Sequence, residues 1–490
     1  MHVVLPEVDG RIMAGVASFK QPGPRDDALQ FARYVHTPRH ERIAAIADRV
    51  AAHVRLAQTD APRLALVLST YPGKSWQMAH AVGLDALASA NAILEDLAPP
   101  AAVEFSKNSS PFSVVENGSA AGILQDLSEG RPTLSLDVYQ DLLTTLPATL
   151  RDDLDRAWGA PQDDPDCRDG VFHFHVTTRN GTLVALQPER GTPKTRDDDY
   201  HDLSRTPRHA YVAFYLWLRE SRGIDALVHI GAHGTLEWLP GKSVALSQTC
   251  WPEALIGNLP VIYPFIVNDP GEAAQAKRRI GAITLGHIPP PLRDSHTPDR
   301  FLRLETLLDE FSNADGLDPK RRDRLQSDIR DEAQALGVEA DLGLNAAAST
   351  AEAITRIDRF VCDIKESQFG DGLHIWGRRP EVQGNFDTGA SVAAERQALL
   401  DAIAGKRIPA GPSGSPYRGR TDVMPTGRNL YTTDPRSVPS RSAYAQGVKL
   451  AEELVRRHLQ EEGDYPKGLI VDLWGSATMR TAGEEFAMAL

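Results

Sequence analysis

Short apolar runs alternate along the chain with segments in which apolar residues recur at helical spacing. Residues 63–71 and 224–230 are almost continuously apolar and of strand length, which is typical of strands buried on both faces of a parallel sheet. Residues 79–97 and 209–222 have the spacing of helices with one buried side. This alternation predicts a multi-domain α/β fold, in which parallel or mixed sheets are flanked by helices.

Local signals add detail to this outline. Residues 171–186 alternate between apolar and polar and turn at Asn180-Gly181, which predicts a β-hairpin with a type I′ turn. Residues 260–267 are strand-like, but Pro264 predicts an edge strand or irregular structure. Further predictions are charged amphipathic helices at 301–336 and 351–366, a long Gly/Pro/Ser/Arg-rich loop at 410–434, and the strand of another βα unit at 469–474.

The 490 residues exceed the size of one ordinary domain, and changes in pattern divide them into five regions. These are an N-terminal segment (1–60), an α/β domain (61–150), a core α/β domain with a loop containing His and Glu (151–300), a helical segment (301–370), and a region with an Arg/Gly-rich binding loop and the start of a further α/β domain (371–490).

Charge and cysteine usage exclude several classes of protein. The formal net charge is −13 and no basic tail or stripe is present, which disfavours a nucleic-acid partner. Cys167, Cys250 and Cys362 are widely separated and form no CxxC motif, so we expect neither a disulfide framework nor a zinc ribbon. No apolar run reaches the length of a membrane span, and the first residues lack the pattern of a signal peptide. We therefore expect a cytoplasmic protein without a membrane partner.

The triplet Gly-Lys-Ser occurs at residues 73–75 and 241–243, which raises the question of a nucleotide site. A P-loop also needs a glycine five residues before the glycine of this triplet, because its backbone amides wrap the phosphates. Leu68 and Leu236 occupy those positions, and no GxGxxG follows a strand. The chain is therefore not expected to bind ATP itself.

A group of candidate metal ligands follows the second buried strand. His229, His233 and Glu237 recur every four residues, but the glycines and proline among them argue against a continuous helix. The pattern favours a strand that ends near Ile230 and opens into a glycine loop, and ligands bind at such ends of open α/β sheets. Imidazole suits Co, Ni, Cu or Zn, and Glu237 is a candidate metal ligand or proton acceptor. A buried core histidine is an equally good interpretation of His229.

Two clusters of cations stand out in this acidic chain. One lies at the end of the short helix that follows residues 268–270, where the alternative to a clamp for substrate carboxylates is a solvated last helical turn. The other lies in the loop at residues 411–431, where arginines between glycines favour an anion-binding surface over a plain linker. The candidate residues are Lys277, Arg278, Arg279, Arg418, Arg420 and Arg428.

Several long segments resemble one family. HIGAHGTLEWLPGKSVALS, CWPEALIGNLPVIYPFIVNDPGEAAQAKRR and GPSGSPYRGRTDVMPTGRNLY closely resemble the large subunits of aerobic cobaltochelatase (CobN) and, less closely, those of magnesium chelatase. VVLPEVDGRI, YPGKSWQMAHAVGLDALAS, ALQPERG and LWGSATMRTAGEEFA extend the resemblance from Val3 to the last residues. Members are more than twice as long, the segment between Arg378 and Ile408 is shorter here, and Ala232 stands where many relatives carry lysine. The resemblance thus implies a partial or shortened member.

The resemblance implies insertion of a divalent metal into a tetrapyrrole. For the cobalt branch the substrates are Co²⁺ and hydrogenobyrinic acid a,c-diamide, in aerobic cobalamin biosynthesis. The large subunit binds the macrocycle, and two smaller subunits use ATP and Mg²⁺. Two pyrrole N–H protons leave as the metal enters, which makes His233 and Glu237, with His229 behind them, the candidate bases and metal contacts. Trp238 or Tyr263 is a candidate to stack on the macrocycle, and the six cations are candidates to bind its carboxylates.

Three alternatives stay open from the sequence. The first is a magnesium chelatase large subunit that acts on protoporphyrin IX, since residue types alone do not select the metal. The second is a non-catalytic tetrapyrrole-binding fragment. The third is a self-contained metallohydrolase built on His229, His233 and Glu237, which would bind zinc and act without partner subunits.

Overall fold

A computed structural model of the chain describes residues 3–69, 80, 81, 83–98, 119–191, 204–231, 234–289, 303, 304, 307, 319–335, 373–380, 388–414, 416, 420–432, 434, 436–471, 473, 478 and 483–490. The chain forms two units, Met1–Pro289 with His374–Leu490, and Pro290–Leu373. The described strands all belong to the first unit, and the second contains the helix Pro319–Ala335.

The described strands form one large sheet and three small ones. In chain order they are β1 Ser18–Asp26, β2 Phe31–Pro38, β3 Leu64–Leu68, β4 His80–Ala81, β5 Leu84–Asp85, β6 Arg131–Ser135, β7 Cys167–Arg168, β8 Val171–Phe174, β9 Val176–Arg179, β10 Thr182–Leu186, β11 Ala226–Ile230, β12 Val261–Ile266, β13 Ile283–His287, β14 Ala410–Pro412 and β15 Asn429–Tyr431. The large sheet has the order β14-β15-β13-β12-β11-β3-β10-β9, and the small sheets are β1-β2, β4-β5 and β6-β8-β7.

Several helices begin where the sequence supplies caps. The helices are α1 Val4–Val8, α2 His40–Gln58, α3 Ala86–Leu97, α4 Ala120–Leu127, α5 Leu136–Leu143, α6 Ala148–Trp158, α7 His209–Leu216, α8 Trp251–Ile256, α9 Pro270–Ile280, α10 Pro319–Ala335, α11 Gly389–Ile403, α12 Arg441–Glu462 and α13 Glu484–Ala489. Asp85 and Ser119 accept hydrogen bonds from backbone amides in the first turns of α3 and α4, and Asp269 does the same for α9, which starts with a proline. Within the described ranges, no helix combines the length and the apolar composition needed to cross a bilayer.

The side of β3 on which successive strands are added to the large sheet changes between β10 and β11. Strands β10, β3, β11, β12 and β13 are parallel to one another where they pair. The chain passes from β3 to β10 on one side, and then from β10 to β11 on the other side of β3, before it continues to β12 and β13. A doubly wound sheet of this order has a topological switch point between its first and third strands, and ligands bind in the crevice at their carboxyl ends.

Helices cover both faces of this sheet. Along β3, Leu64, Leu66 and Leu68 pack with α3 and α11, whereas Ala65 and Val67 face the other side and pack with α7, α8 and α9. All five residues of β3 and all five of β11 are buried. Burial on both faces explains why these strands are so apolar in sequence, and it confirms the predicted α/β class.

Several local predictions can be compared with the structure. The hairpin turn is confirmed, because Asn180 and Gly181 have φ angles of 49° and 79° between β9 and β10. The predicted edge position of Pro264 is wrong, since β12 lies inside the sheet. The paired positions of β12 with β11 end at Ile262, so the strand has already separated from one neighbour where the proline, which lacks an N–H, occurs.

Two other predictions need correction. Residues 410–434 were expected as one long loop, but they contain β14 and β15, which extend the sheet beside β13. Residues 469–474 were expected as a strand, yet their described part contains none and Ile470 is 97% exposed, so this apolar residue has no buried sheet around it. The predicted helix at 351–366 lies outside the described residues. The strands of the large sheet come from three of the five predicted regions. The division of the chain into five regions stays a prediction.

A buried carboxylate joins the loops at the carboxyl edge of β13. Glu395 of α11 accepts hydrogen bonds from the backbone amides of Ile288 (2.9 Å) and Gly377 (3.1 Å), from the Thr426 hydroxyl (2.6 Å) and from His374 Nε2 (2.6 Å). Burial alone would raise the pKa of Glu395, but His374 and the other partners hold it below its ordinary value.

We expect Glu395→Ala to lower the free energy of unfolding by about 3 kcal/mol, because four buried donors lose their acceptor. Urea unfolding followed by circular dichroism measures this change. Glu461→Ala is the control, since Glu461 pairs with Arg457 on the exposed surface of α12, where water screens the pair, and it should leave the free energy of unfolding close to that of the wild type. Equal unfolding midpoints for the two variants would contradict the prediction.

Candidate functional site

The switch point brings a serine and a histidine together. Ser69 directly follows β3, and His229 is the fourth residue of β11, the strand that pairs with β3 in parallel. The two side chains are buried, and Ser69 Oγ lies 3.1 Å from His229 Nε2. If the imidazole is neutral with its lone pair on Nε2, the hydroxyl is the donor in this contact.

Burial determines the protonation state of this histidine. It lowers the pKa of His229 to about 3, because the imidazolium would lose its hydration inside the sheet. At neutral pH the ring is therefore uncharged. A neutral imidazole can bind a metal ion through its lone pair, whereas a pKa of about 3 makes it a weak proton acceptor at neutral pH.

Two glycines allow the loop after β11 to approach these groups. Gly231 has a φ of 139°, and a Cβ atom there would lie 2.7 Å from Ser69 Oγ. A Cβ atom on Gly234 would lie 2.3 Å from His229 Nε2, 2.8 Å from Tyr263 Oη and 2.9 Å from Glu237 Oε2. One point next to the loop backbone is thus surrounded by an imidazole, a phenol and a carboxylate.

Tyr263 connects the members of this group. Its hydroxyl accepts a hydrogen bond from the Gly234 amide (2.9 Å) and donates one to Glu237 Oε1 (3.3 Å). Its ring lies edge-on to the His229 ring, with centroids 4.6 Å apart. The burial of Tyr263 supports a hydrogen-bonding role in preference to the predicted stacking on a macrocycle. Trp238 is half-buried and remains the better candidate for stacking.

Glu237 lies in a short 3-10 helix, Leu236–Trp238, and its side chain is completely buried. The turn is held from outside by Arg279 of α9, which donates to the backbone oxygens of Glu237 (2.5 Å), Leu239 (2.7 Å) and Lys242 (3.0 Å). A glycine-containing loop has little rigidity of its own, so these contacts from a helix define where the carboxylate lies.

The structure brings together some, but not all, of the predicted metal ligands. His229 and Glu237 meet at Gly234, as described above. His233 lies outside the described residues. Over the part of the chain that the structure describes, no three or more His, Cys, Asp or Glu side chains form a group that could hold a metal ion. The three-ligand set of His229, His233 and Glu237 therefore stays a prediction.

The cations at residues 277–279 have partners within the chain. Lys277 is buried and donates to Asn429 Oδ1 (2.5 Å), and Arg278 forms two hydrogen bonds to the Glu7 carboxylate (2.8 and 3.1 Å). Burial lowers the pKa of Lys277 to about 8. With Arg279 holding the Glu237 turn, these contacts favour structural roles for all three cations over the expected substrate clamp.

The arginines of the second cluster lie elsewhere at the sheet. Arg420 pairs with the Asp422 carboxylate (2.8 and 2.9 Å), and Arg428 donates to the backbone oxygens of Pro425 (2.9 Å) and Asp422 (2.7 Å). Both precede β15, which is three strands away from β11 in the sheet order. Arg418 lies outside the described residues.

Two buried residues of the site were missed in the sequence. Ser69 and Gln187 each follow a parallel strand directly, β3 and β10 respectively. A polar residue at the carboxyl end of a buried strand is itself a signal for a site, and for Ser69 this signal was available in the apolar run at residues 63–71.

The sheet order and the polar group at its switch point define a doubly wound α/β protein with a candidate ligand site at the carboxyl edge. The chain belongs to the CobN/Magnesium Chelatase family, whose model matches residues 1–393 and 385–490. This confirms the resemblance noted in the sequence.

Individual relatives agree with this family. The aerobic cobaltochelatase subunit CobN of Pseudomonas aeruginosa is 34% identical over 100% of this chain and 48% of its own length. The magnesium-chelatase relative from Rhodobacter capsulatus, the H polypeptide of that enzyme, is 28% identical over 100% of this chain and 42% of its own length. The solved catalytic subunit of cobaltochelatase from Mycobacterium tuberculosis matches with a TM-score of 0.64 and 31% identity, over 99% of this chain and 49% of that chain. The chain thus spans about half the length of the curated relatives it matches.

The lowered pKa of His229 predicts how stability depends on pH. The unfolded histidine titrates near pH 6.5, so protons bind the unfolded chain first as the pH falls. The folded state then loses up to about 1.4 kcal/mol per pH unit below 6.5 from this residue. His229→Gln should reduce the slope of stability against pH between 6.5 and 5. Burial also lowers the pKa of His287, to about 4, so His287 still contributes to the slope in the His229→Gln variant.

Urea unfolding midpoints at pH 7.5, 6.5 and 5.5 measure this slope. His40→Gln is the control, because His40 is exposed at the start of α2 and its replacement should leave the slope as in the wild type. A His229→Gln variant with the wild-type slope would show that His229 is not buried in a neutral form.

Proposed function

We propose that this chain is the tetrapyrrole-binding part of the large subunit of an ATP-dependent cobaltochelatase, which inserts Co²⁺ into hydrogenobyrinic acid a,c-diamide in aerobic cobalamin biosynthesis. The observation that carries the proposal is the meeting of His229, Tyr263 and Glu237 at the switch point of the sheet. Similarity to CobN subunits over the whole of this chain supports the cobalt branch.

Metal insertion requires the removal of two pyrrole protons from the ring centre. Glu237 provides a carboxylate that can accept a proton. Neutral His229, whose imidazole nitrogen lies 2.3 Å from the position of a Gly234 Cβ, is assigned to contact the incoming metal ion, because its lowered pKa makes it a weak base. The burial of both groups strengthens their interaction with an incoming cation, since little water screens it. We assign a base or metal-contact role to His233 as well, because it directly precedes Gly234 in the sequence.

The half-buried ring of Trp238 follows Glu237 directly and is assigned to stacking on the macrocycle. We assign the binding of the corrinoid carboxylates to Arg418, Arg420 and Arg428. Arg420 remains partly exposed beside Asp422, so an incoming carboxylate can share its guanidinium. The cations at 277–279 are less suitable, because Lys277 and Arg279 are buried and Arg278 is bonded to the buried carboxylate of Glu7.

Co²⁺ is a substrate in this proposal. ATP and Mg²⁺ are used by two smaller partner subunits, in keeping with the lack of a P-loop sequence here. A magnesium chelatase large subunit acting on protoporphyrin IX is the second candidate, supported by the 28% identity to the Rhodobacter capsulatus relative over the whole chain. It ranks second because the CobN relatives are more similar.

The first test is a fluorescence-quench titration of the 490-residue chain with hydrogenobyrinic acid a,c-diamide and, in parallel, with protoporphyrin IX. Saturable binding of the corrinoid alone supports the cobalt assignment. Preference for the porphyrin moves the assignment to magnesium. A folded chain that binds neither would overturn the proposal that this part of the large subunit contains the ring site.

Glu237→Gln should lower the rate of Co²⁺ insertion, measured by absorbance with both partner subunits and ATP, by about a hundredfold or more, because the amide cannot accept a pyrrole proton. The dissociation constant of the corrinoid should stay within about threefold, since the shape of the side chain is kept. Glu462→Gln, an exposed glutamate at the end of α12, is the control and should insert cobalt normally. Unchanged insertion by Glu237→Gln would remove Glu237 from the chemistry.

A further inference from the structure

Four polar residues from three parts of the fold meet at the loop that carries Glu237. Gln187 follows β10, Tyr211 and Tyr215 lie one turn apart on α7, and Thr235 precedes the 3-10 helix Leu236–Trp238. All four are buried. They are joined to one another by hydrogen bonds, and Thr235 connects them to the loop.

The contacts of Gln187 have a defined direction. The backbone amide of Thr235 can only donate, so the amide oxygen of Gln187 must face it (3.4 Å), and the same oxygen accepts from the Thr235 hydroxyl (3.1 Å). The Gln187 amide nitrogen then donates to the hydroxyls of Tyr211 (3.1 Å) and Tyr215 (2.5 Å). The backbone amide of Gln187 donates to the Leu68 oxygen (2.9 Å), which fixes the glutamine to the end of β3.

The contact between Tyr211 and Thr235 closes a ring of hydrogen bonds. Their hydroxyls lie 2.9 Å apart, and either can be the donor. Each of Gln187, Tyr211 and Thr235 is therefore hydrogen-bonded to the other two. Hydrogen bonds in a closed network of low dielectric strengthen each other, and the ring limits the movement of Thr235.

We propose that this ring, made by Gln187, Tyr211 and Thr235, is the positioning device that sets the Glu237 turn against His229 for metal insertion. Thr235 is two residues before Glu237 and one after Gly234, so a displacement of Thr235 moves both the carboxylate and the glycine that faces His229 Nε2. The inference rests on the proposed function for its role in insertion. The placement of the loop itself does not depend on that function.

Tyr215 provides a matched comparison for Tyr211. Both hydroxyls accept from Gln187 and both are buried, but it is Tyr211 that bonds to Thr235. Removing either hydroxyl removes one buried hydrogen-bonding group from the same helix. A merely structural role predicts similar consequences for Tyr211→Phe and Tyr215→Phe, whereas a positioning role predicts that they differ.

The experiment compares Thr235→Val, Tyr211→Phe, their double variant, Tyr215→Phe and the conservative Thr235→Ser in the full chain. Two readouts are used. One is the kcat and KM of Co²⁺ insertion with partner subunits, and the other is hydrogen exchange of the peptide that covers residues 228–247. Thermal unfolding confirms that each variant is folded, and if Tyr211→Phe does not fold, the Thr235→Val and Thr235→Ser pair carries the test.

We expect Thr235→Val and Tyr211→Phe to lower kcat about tenfold or more with KM within about threefold, since a small misplacement of a reacting group costs rate and not binding. Exchange at residues 234–239 should accelerate to a similar degree. Thr235→Ser and Tyr215→Phe should stay within about threefold of the wild type in both readouts. The double variant should be no worse than either single variant, because each breaks the same ring.

Equal losses in Tyr215→Phe and Tyr211→Phe, or additive losses in the double variant, would overturn the positioning role. If the wild-type chain neither binds the corrinoid nor inserts cobalt, the proposed function is contradicted, but the role of the ring in placing the loop is not. In that case the exchange data alone decide whether Gln187, Tyr211 and Thr235 hold the loop.

Discussion

The parallel pairing of β3 with β11 is the contact on which the rest of the molecule depends. Five consecutive residue pairs, from Leu64 with Ala226 to Leu68 with Ile230, place the two strands side by side. The chain reaches β11 only after it has built β10 on the other side of β3, and at such a switch point the loops after the two strands diverge and leave a crevice. Ser69 and His229 lie at this opening because of that pairing, and the other groups of the candidate site are arranged around them.

The loop that follows β11 contains two glycines and would have many conformations by itself. Its geometry is imposed by side chains from separate elements. Tyr263 of β12 binds the Gly234 amide, Gln187 binds Thr235, and Arg279 of α9 binds three backbone oxygens, of which the first belongs to Glu237. Because the supporting groups lie on or directly beside strands and helices, the order of the loop is supplied by the scaffold, and the proposed chemistry would require little reorganisation of the loop.

Much of the fold could be predicted from the sequence, because burial on both faces leaves a continuous apolar run and Asn180-Gly181 suits a tight turn. The pairing of strands could not be predicted, since it depends on contacts between distant segments. For this reason the strand that contains Pro264 was wrongly expected at the edge of the sheet. For the candidate site, the spacing in the sequence pointed to His229 and Glu237, and both side chains lie beside Gly234. The cations were harder to interpret, because the partner of Arg278 is Glu7, which is 271 residues away. The family resemblance was confirmed, whereas the roles of individual site residues stay predictions.

Gly234 has a consequence for the comparison of related genes. A side chain at this position would collide with the ring of His229, which is held within a buried strand and has little room to move aside. The absence of a side chain is therefore a condition for the group to assemble at all. The residue aligned with Gly234 is therefore informative when related genes are compared: any side chain there would force His229 and its neighbours to shift, even if the histidine and glutamate are retained.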